Sequence, residues 1–277
     1  MIKISAMEYA DLAYAKSLTD IESWGHQESD FRRLLELDPQ GCFVAWHEDD
    51  RAGIATTISY GQYSFLGNII VEKQHRGRNI GPTLMQHAID YLDGKGMKTI
   101  ELDGVLPAVA MYRRMGFQEK YRSLRLVREP THRFHTPSSV PRCEEPSAMV
   151  EFDFRQTGIE RQALISRLAA EFPASTFCLG TPRLEAYAVV RERTHGTLGI
   201  GPLVAQHRAA CKTMMQGIVS MFGDRMITIG VPEINKAAVE IMLQHGFRQG
   251  TPSLRMFRGP SISYEEHVYG IASADVG

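Results

Sequence analysis

Long apolar runs and paired cysteines are what this sequence most clearly lacks. No stretch approaches the roughly 18 apolar residues that a membrane-spanning helix needs, and the first residues, MIKISAMEYADLAYAKSL, place acids within their apolar pattern instead of forming a signal-peptide core. The four cysteines, Cys42, Cys143, Cys178 and Cys211, are scattered with no CxxC pair. This spacing argues against a disulfide framework or a zinc site. We therefore expect no membrane partner, no metal, and a reducing cytoplasm as the compartment.

The sequence also has almost no net charge. Lysine and arginine together number 31 against 32 for aspartate and glutamate, which gives a formal net charge of -1. Such a chain has no general electrostatic field to attract nucleic acid or anionic lipid. We expect neither as a partner, and a binding site for an anion must be local.

The length of 277 residues and an apolar content of 43% are sufficient for two domains with separate cores. A proline-rich segment, PTHRFHTPSSVPRCEEPS, begins at Pro130 and predicts an extended linker in which helices are disfavoured. The predicted division is a first domain over 1–129, a linker over 130–149 and a second domain over 150–277.

The two halves carry matching segments. GFQEKYRSLRLVRE begins at Gly116 and GFRQGTPSLRMFRG begins at Gly246, so their phenylalanines and their SLR triplets are both 130 residues apart. A QHR triplet also occurs once in each half. Matching segments in register predict two copies of one fold.

Hydrophobic periodicity in the first half predicts an α/β fold with a mixed sheet. CFVAWHEDDRAGIATTISYGQYSFLGNIIV alternates strand-like runs with turns near 49–51 and at Gly61. A helix follows, whose apolar residues recur at helical spacing: Ile80, Leu84, Ala88 and Leu92.

The connection between the last of these strands and the helix reads RGRNIGP. The first turn of a helix leaves backbone N–H groups without partners and favours an anion. Gly77 and Gly81 allow the backbone to curl tightly, and Pro82 fits a first helical turn. Arg76 and Arg78 add charged donors. The pattern predicts a phosphate cradle; the alternative is a tight turn with two solvated arginines.

The RGRNIG stretch resembles the acetyl-CoA pyrophosphate loop of the GNAT superfamily of N-acetyltransferases, usually written [QR]-x-x-G-x-[GA]. Arg76, Ile80 and Gly81 match, while Asn79 replaces the first glycine and is the next most tolerant residue of a left-handed backbone. P-loop and Rossmann patterns are absent. The resemblance implies a cofactor site made by Ile69, Ile70, Val71, Arg76, Gly77, Arg78, Asn79, Ile80, Gly81, Pro82 and Thr83.

A second motif, LDGVLPAVAMYRRMGF, is similar to the GNAT helix that ends in Y…GF. The resemblance implies that Tyr112 lies near the thioester sulfur, where its phenol can donate a proton to the departing thiolate. Val105 stands where many members have asparagine. The alternative for Tyr112 is simple packing at the end of a helix. The motifs together resemble two-domain bacterial acetyltransferases with a degenerate C-terminal GNAT-like domain.

The family transfers acetyl directly to an amine held beside the thioester, so alignment supplies most of the rate. The resemblance implies that the strand over Gly67–Val71 separates from its neighbour and bonds the pantetheine arm through the backbone of Ile69 and Val71. Gly67 and Asn68 are poor strand formers and predict a bulge there, the alternative being an ordinary bend.

The general base is not evident from the sequence. Asp103 is the first candidate, at a strand end, although Asp-Gly is also a common turn. Trp24 and Asn68 are candidates for the acceptor pocket, with core packing an equal alternative for Trp24. Four further residues lie in the segment that the resemblance places beside the acceptor, and each is expected to be a solvated loop residue, with a role as the base as the alternative: Asp20, Glu22, His26 and Glu28.

The second half has lost the chemistry of the first. QHRAACKTMMQ replaces the glycine loop, and Met242 stands where the tyrosine would be. We therefore expect one active site, with the hypothesis that the second half helps to form the acceptor pocket.

The expected function is transfer of acetyl from acetyl-CoA, as co-substrate, to a primary amine of a small molecule, amino acid or peptide. The alternative is a non-catalytic regulatory protein that binds acetyl-CoA. A longer acyl chain or a hydroxyl acceptor stays open, and the sequence does not define the acceptor or the oligomeric state.

Overall fold

The structure is a computed structural model that describes residues 1–131 and 138–277. Part of the predicted linker, residues 132–137, lies outside the described residues. Within the described ranges no helix is long and apolar enough to cross a membrane.

The chain forms two compact units that are not continuous in sequence. The first unit comprises Met1–Gln118, Met256–Ser261 and Asp275–Gly277, and the second comprises Glu119–Arg255 and Ile262–Ala274. The end of the chain therefore belongs to the unit formed by its beginning. The division predicted from the sequence, with domains over 1–129 and 150–277, refers to the two copies of the fold and not to these compact units. It stays a prediction.

The first unit contains a mixed sheet with helices, whose strands follow the order β1-β2-β3-β4-β5 and then the part of β12 that belongs to this unit, Met256–Arg258. Its strands are antiparallel up to β4, whereas β4 and β5 run parallel and are connected through α3. The elements are β1 (Ile2–Ala6), α1 (Leu12–Ile21), α2 (Glu28–Leu37), β2 (Cys42–His47), β3 (Asp50–Tyr60), β4 (Tyr63–Val71), α3 (Ile80–Gly94), β5 (Thr99–Gly104) and α4 (Val109–Arg114).

The predicted apolar face of α3 is the buried one. The four side chains named from the sequence have relative exposures of 1% or less. Burial of one stripe against the sheet stabilises the helix more than its intrinsic propensity does. The helix thereby fixes where its first turn, and the loop before it, meet the end of β4.

The second unit has the sheet order β6-β10-β9-β8-β7, with β11 paired to β6 and β13 to β9. Its core is made by buried apolar residues of β8, β9, β10, α7 and α8. The remaining elements of the chain are β6 (Gln118–Arg128), α5 (Pro146–Thr157), α6 (Gln162–Glu171), β7 (Thr176–Leu179), β8 (Ala186–Glu192), β9 (Leu198–Ala205), α7 (Arg208–Phe222), β10 (Ile227–Pro232), α8 (Lys236–Gln244), β11 (Arg248–Gln249), β12 (Ser253–Arg258) and β13 (Val268–Gly270).

The matching glycines of the two halves have matching conformations. Gly116 follows α4 with a φ of 87°, and Gly246 follows α8 with a φ of 84°. Both values lie in the left-handed region, where glycine carries no penalty for a Cβ atom.

Two expectations for the linker region are corrected. Helix α5 begins at Pro146, so the last four residues of the predicted linker are helical; proline is tolerated because the first turn needs no N–H donor. Cys143 and Cys178 form a disulfide, with their Cα atoms 4.7 Å apart. The expectation of no disulfide framework is wrong for this pair, because 35 residues separate two cysteines that backbone pairing brings together.

Candidate functional site

The loop between β4 and α3 is built on two left-handed residues. Gly77 has a φ of 79°, and Asn79, the N-cap of α3, has a φ of 61° and a ψ of 15°. A Cβ atom at Gly77 would meet nothing within 4 Å, so its conformation, not lack of space, calls for glycine. The predicted left-handed role of Asn79 is confirmed.

The first turn of α3 presents backbone donors toward one spot. Ile80 is 1% exposed and anchors the turn in the core. The N–H groups of Ile80 and Gly81 have no carbonyl within the helix to bond, and Pro82 has no N–H. The Thr83 hydroxyl donates to the Asn79 carbonyl at 2.7 Å, which tightens the turn. These are the donors and dipole that an anion needs.

Gly81 places this turn beside the end of β4 and helix α4. A Cβ atom built on Gly81 would lie 3.5 Å from Val71 Cγ2 and 3.9 Å from Met111 Sδ. Met111 immediately precedes Tyr112. The structure therefore brings the loop, the end of β4 and the tyrosine helix together, as the resemblance implies; their cofactor role stays a prediction.

The two arginines of the loop behave differently. Arg76 donates through Nε to the Val71 carbonyl at 2.9 Å and through Nη2 to Glu22 Oε1 at 2.5 Å. It thus joins the loop to the end of β4 and to the residue that follows α1, and Glu22 is an ion-pair partner rather than a free loop acid. The Arg78 side chain is exposed.

The predicted bulge in β4 is confirmed. Gly67 pairs with Thr56 and Ile70 with Ile54, so Asn68 and Ile69 together face one residue of β3. Asn68 adopts a φ of 50°. Extra residues in a bulge bend the strand and leave part of it unpaired.

Strands β4 and β5 pair over a short stretch beside this bulge. Their register covers only Tyr63 with Thr99, Ser64 with Ile100 and Phe65 with Glu101, among residues that are all described. Beyond Phe65 the backbone edge of β4, including the predicted stretch Ile69–Val71, is not in register with β5.

Tyr112 is buried, with 4% relative exposure. It packs against the backbone of β5, where a Cβ atom added to Gly104 would lie 2.6 Å from Tyr112 Cε2. Burial raises the pKa of Tyr112 to about 12. The phenol is therefore protonated at neutral pH, as a proton donor to a thiolate must be.

The other residues named from the sequence are candidates for the general base and the acceptor pocket. Asp103 is half-buried on β5, next to Gly104, and its role as a base stays a prediction. Trp24 is half-buried, with its ring centroid 6.4 Å from that of His26. The expectation that His26 is solvated is wrong, because it is 3% exposed and packs 5.7 Å from the Phe31 ring.

Sequence reasoning missed Asp275 altogether. Its side chain lies 3.3 Å from His26 Nε2 and 3.4 Å from Asn68 Nδ2, and it is 5% exposed. No local pattern could have found this contact, since 207 residues separate Asn68 from Asp275.

In the corresponding helix of the second unit, a side chain already binds one of the first-turn amides. His207 is the N-cap of α7, and its Nδ1 accepts a hydrogen bond from the Ala210 amide at 3.2 Å. Met242, at the position of the tyrosine, is fully buried in the core. Asn235 caps α8 and also donates to three carbonyls. These side chains serve structure. Among the described residues, no group of three or more His, Cys, Asp or Glu side chains could hold a metal ion.

The fold and the loop define the acyl-CoA acyltransferase class. The model of the Acetyltransferase (GNAT) family matches residues 12–117, and that of an Acetyltransferase (GNAT) domain matches residues 149–270. Together they cover most of the chain. The chain belongs to the GNAT acetyltransferase family, carries two GNAT domains in tandem, and is an acyltransferase enzyme, as predicted.

Relatives and solved structures agree with this assignment. Holothin acyltransferase of Pseudoalteromonas sp. (strain SANK 73390) is 23% identical over 261 residues, which cover 92% of this chain and 88% of the relative. Streptothricin acetyltransferase of Streptomyces lavendulae is 42% identical over 82 residues, 27% of this chain and 43% of the relative. The chain thus spans less than half of that second protein.

Two crystal structures cover the whole fold. A putative acetyltransferase from Pyrococcus horikoshii has a TM-score of 0.82 at 23% identity, covering 100% of this chain and 96% of its own. A GCN5-related N-acetyltransferase from Sphaerobacter thermophilus has a TM-score of 0.66 at 15% identity, covering 95% and 97%. At these identities the likeness shows the fold alone, and it confirms the predicted α/β class.

Proposed function

We propose that this enzyme transfers an acetyl group from acetyl-CoA to a primary amine of a small molecule, amino acid or peptide. The observation that carries the proposal is the left-handed loop at Gly77–Asn79, which opens α3 directly beside the helix that bears Tyr112. A binding turn and a proton donor at one place are what direct acyl transfer from a coenzyme requires.

The diphosphate of coenzyme A is assigned to the first turn of α3. The amides of Ile80 and Gly81 supply donors, and the helix dipole favours negative charge there. Arg78 is exposed and free to reach a phosphate, whereas Arg76 is held by Glu22 and shapes the loop. The site needs no excess of positive charge elsewhere, which agrees with the net charge of -1.

The pantetheine arm is assigned to the edge of β4 beyond the bulge. A strand edge that no neighbouring strand occupies offers amide and carbonyl groups in an extended row. Ile69 and Val71 lie on that edge, past the last registered pair with β5. Pairing with the amides of the arm would direct the thioester toward Asn68 and Tyr112.

Tyr112 is assigned as the acid that completes the transfer. The acceptor nitrogen forms a bond to the carbonyl carbon, the carbon–sulfur bond breaks, and the sulfur takes a proton from the phenol. A pKa of about 12 keeps the phenol protonated, so it is available to donate to the sulfur as negative charge develops there. The nitrogen becomes positively charged when it forms the new bond and loses one proton to solvent, and the phenolate takes up one proton from solvent.

Small-molecule amines are the first acceptors to examine. The relative that matches over 92% of this chain is named holothin acyltransferase. The relative with 42% identity over 82 residues is named streptothricin acetyltransferase. Both names denote small molecules. We propose the same acceptor class for this chain.

The test measures binding and turnover separately. Acetyl-CoA affinity is measured by isothermal titration, and thiol release is followed with a chromogenic reagent while a panel of primary amines, including holothin and streptothricin, is offered. We expect amine-dependent thiol release with an N-acetyl product identified by mass spectrometry. Tight binding without release for any amine would contradict the proposal and favour a regulatory acetyl-CoA-binding protein.

A further inference from the structure

Three buried polar side chains from distant parts of the chain meet at the bulge of β4. His26 comes from the loop between α1 and α2, Asn68 from the bulge, and Asp275 from the last segment of the chain. Their relative exposures are 3%, 4% and 5%. All three belong to the first unit. Polar groups are costly to bury unless they are paired or have a function, so this cluster needs an explanation.

Asp275 is fixed in place by both its side chain and its backbone. Its carboxylate lies 3.3 Å from His26 Nε2 and 3.4 Å from Asn68 Nδ2. Its carbonyl oxygen would be 2.5 Å from a Cβ atom at Gly67, so only glycine permits this close approach. The next residue, Val276, accepts a hydrogen bond from the Tyr60 hydroxyl at 2.8 Å.

The arrangement selects one tautomer of His26. A carboxylate beside Nε2 favours the imidazole that carries its proton on Nε2, because the negative charge attracts that proton. The 3.3 Å separation is within ion-pair distance, although the angle in this geometry is short of a full hydrogen bond. In that tautomer Nδ1 holds a lone pair, and Nδ1 has no hydrogen-bond partner among the described residues.

A buried nitrogen lone pair without a hydrogen-bond partner is available to accept a proton. Leaving such a group unsatisfied lowers the stability of the fold. Asn68 Oδ1 is likewise enclosed and without a described partner. Two unsatisfied acceptors thus lie at one bulge, whereas the buried side chains of Asp38 and Thr56 in the same unit are hydrogen-bonded.

The proposed transfer requires the acceptor amine to lose a proton. An alkyl ammonium with a pKa near 10.4 has no lone pair for attack at neutral pH. Asn68 immediately precedes Ile69, the start of the β4 edge that the proposed function assigns to pantetheine. The inference below rests on that proposed function.

We propose that His26 Nδ1 is the proton acceptor for the amine and that Asp275 is the residue that positions it. The N–H bond of the acceptor ammonium breaks, the proton passes to Nδ1 directly or through one water molecule, and the amine keeps the electron pair. The Asp275 carboxylate balances the charge of the imidazolium, which later releases the proton to solvent. A general base of this kind contributes between about 10²- and 10⁴-fold.

The kinetic test compares His26→Gln and Asp275→Asn with His47→Gln, a half-buried histidine at the far end of β2 that serves as the control. At pH 7 we expect kcat to fall between about 10²- and 10⁴-fold for His26→Gln, with a smaller loss for Asp275→Asn and none for the control. Acetyl-CoA affinity should stay within about twofold, since neither side chain belongs to the site assigned to the diphosphate. Thermal unfolding confirms that each variant is folded.

The loss should shrink as pH rises toward 10. The acceptor then arrives with its lone pair free, and the base is no longer needed. Tyr112, with its pKa raised to about 12, stays protonated over this range. The titratable group that faces His26 is Asp275, while Phe31 of α2 and Trp24 of the loop present rings. A merely structural role for His26 would give a loss that does not depend on pH.

A measurement that needs no turnover tests the tautomer itself. Nitrogen NMR of protein with labelled histidine, with the His26 signals assigned by their absence in His26→Gln, should show a proton on Nε2 and none on Nδ1. Asp275→Asn should weaken this preference. A proton on Nδ1 in the wild type would overturn the inference.

The kinetic outcomes separate this inference from the proposed function. A wild type without amine-dependent turnover refutes the proposed function, and the proton-acceptor role with it. Turnover in the wild type that is unchanged in folded His26→Gln overturns the inference alone. A large loss in Asp103→Asn together with little loss in His26→Gln would assign the base to Asp103 and overturn it as well.

Discussion

At the scale of single residues, the loop depends on backbone conformations that most side chains resist. Asn79 holds a φ of 61° at the start of α3, where the GNAT pattern has glycine. Asparagine tolerates this region, whereas a β-branched residue is strained by about 1–3 kcal/mol.

We therefore expect Asn79→Val to weaken acetyl-CoA binding by roughly tenfold, which corresponds to about 1.4 kcal/mol. Asn79→Gly should bind as well as the wild type, because glycine accepts the same conformation without strain. Isothermal titration of both variants checks the pair. Equal weakening in the two would mean that the asparagine side chain, not the backbone, contacts the cofactor.

Tyr112 can be tested through both rate and pH. Tyr112→Phe removes the proton donor without removing the ring, so we expect kcat to fall by about 10²-fold or more while acetyl-CoA affinity changes little. Because burial raises the pKa to about 12, the wild-type kcat should show no alkaline decline from this group between pH 8 and 10. Tyr91→Phe, at the other end of α3, is the control. An alkaline midpoint near pH 9 that disappears in Tyr112→Phe would contradict the pKa.

At the scale of elements, what the sequence predicts well is local. The strand, loop and helix around RGRNIGP, the buried face of α3 and the bulge at Asn68 each depend on residues within one or two turns of each other. Periodicity and glycine placement encode such features directly.

What could not be predicted depends on contacts between distant residues. The sequence predicts a solvated loop residue at His26, yet Asp275 and Phe31 lie against its ring. Cys143 and Cys178 were expected to stay apart because no spacing rule joins them. Both contacts depend on the tertiary fold, which brings residues that are distant in sequence together. Local patterns in a single sequence do not contain that information.

Substitution of Gly67 tests how much the bulge of β4 contributes to stability. A Cβ atom there would lie 2.5 Å from the Asp275 carbonyl oxygen. That oxygen is a backbone atom, so relieving the clash requires the backbone to move. We expect Gly67→Ala to lower the free energy of unfolding by about 1–3 kcal/mol. Gly94→Ala is the matched control, since Gly94 ends α3 with nothing within 4 Å of its added Cβ atom and alanine is the better helix former.

Denaturant unfolding measures both variants. A small loss in Gly67→Ala, equal to the effect of Gly94→Ala, would mean that the last segment of the chain moves freely away from β4. That result would also weaken the case for Asp275 as a positioning residue, because its place depends on this contact.

At the scale of the whole molecule, two family domains are expected to hold one cofactor. The first unit has an open helix start at Ile80 and a buried tyrosine. In the second, His207 already caps α7, and a buried methionine occupies the place of the tyrosine. A capped N-terminus has fewer free donors for an anion. We therefore expect isothermal titration to give one equivalent of acetyl-CoA per chain.

Titration of Asn79→Val shows which unit binds the acetyl-CoA. If the first unit holds the single site, Asn79→Val weakens the only binding event by roughly tenfold, and no equivalent of wild-type affinity remains. If the second unit also binds, one equivalent of unchanged affinity persists in the variant, because His207 and its helix are untouched. An equivalent of unchanged affinity would contradict the assignment of one active site per chain and locate a second coenzyme site in the second unit, Glu119–Arg255 and Ile262–Ala274.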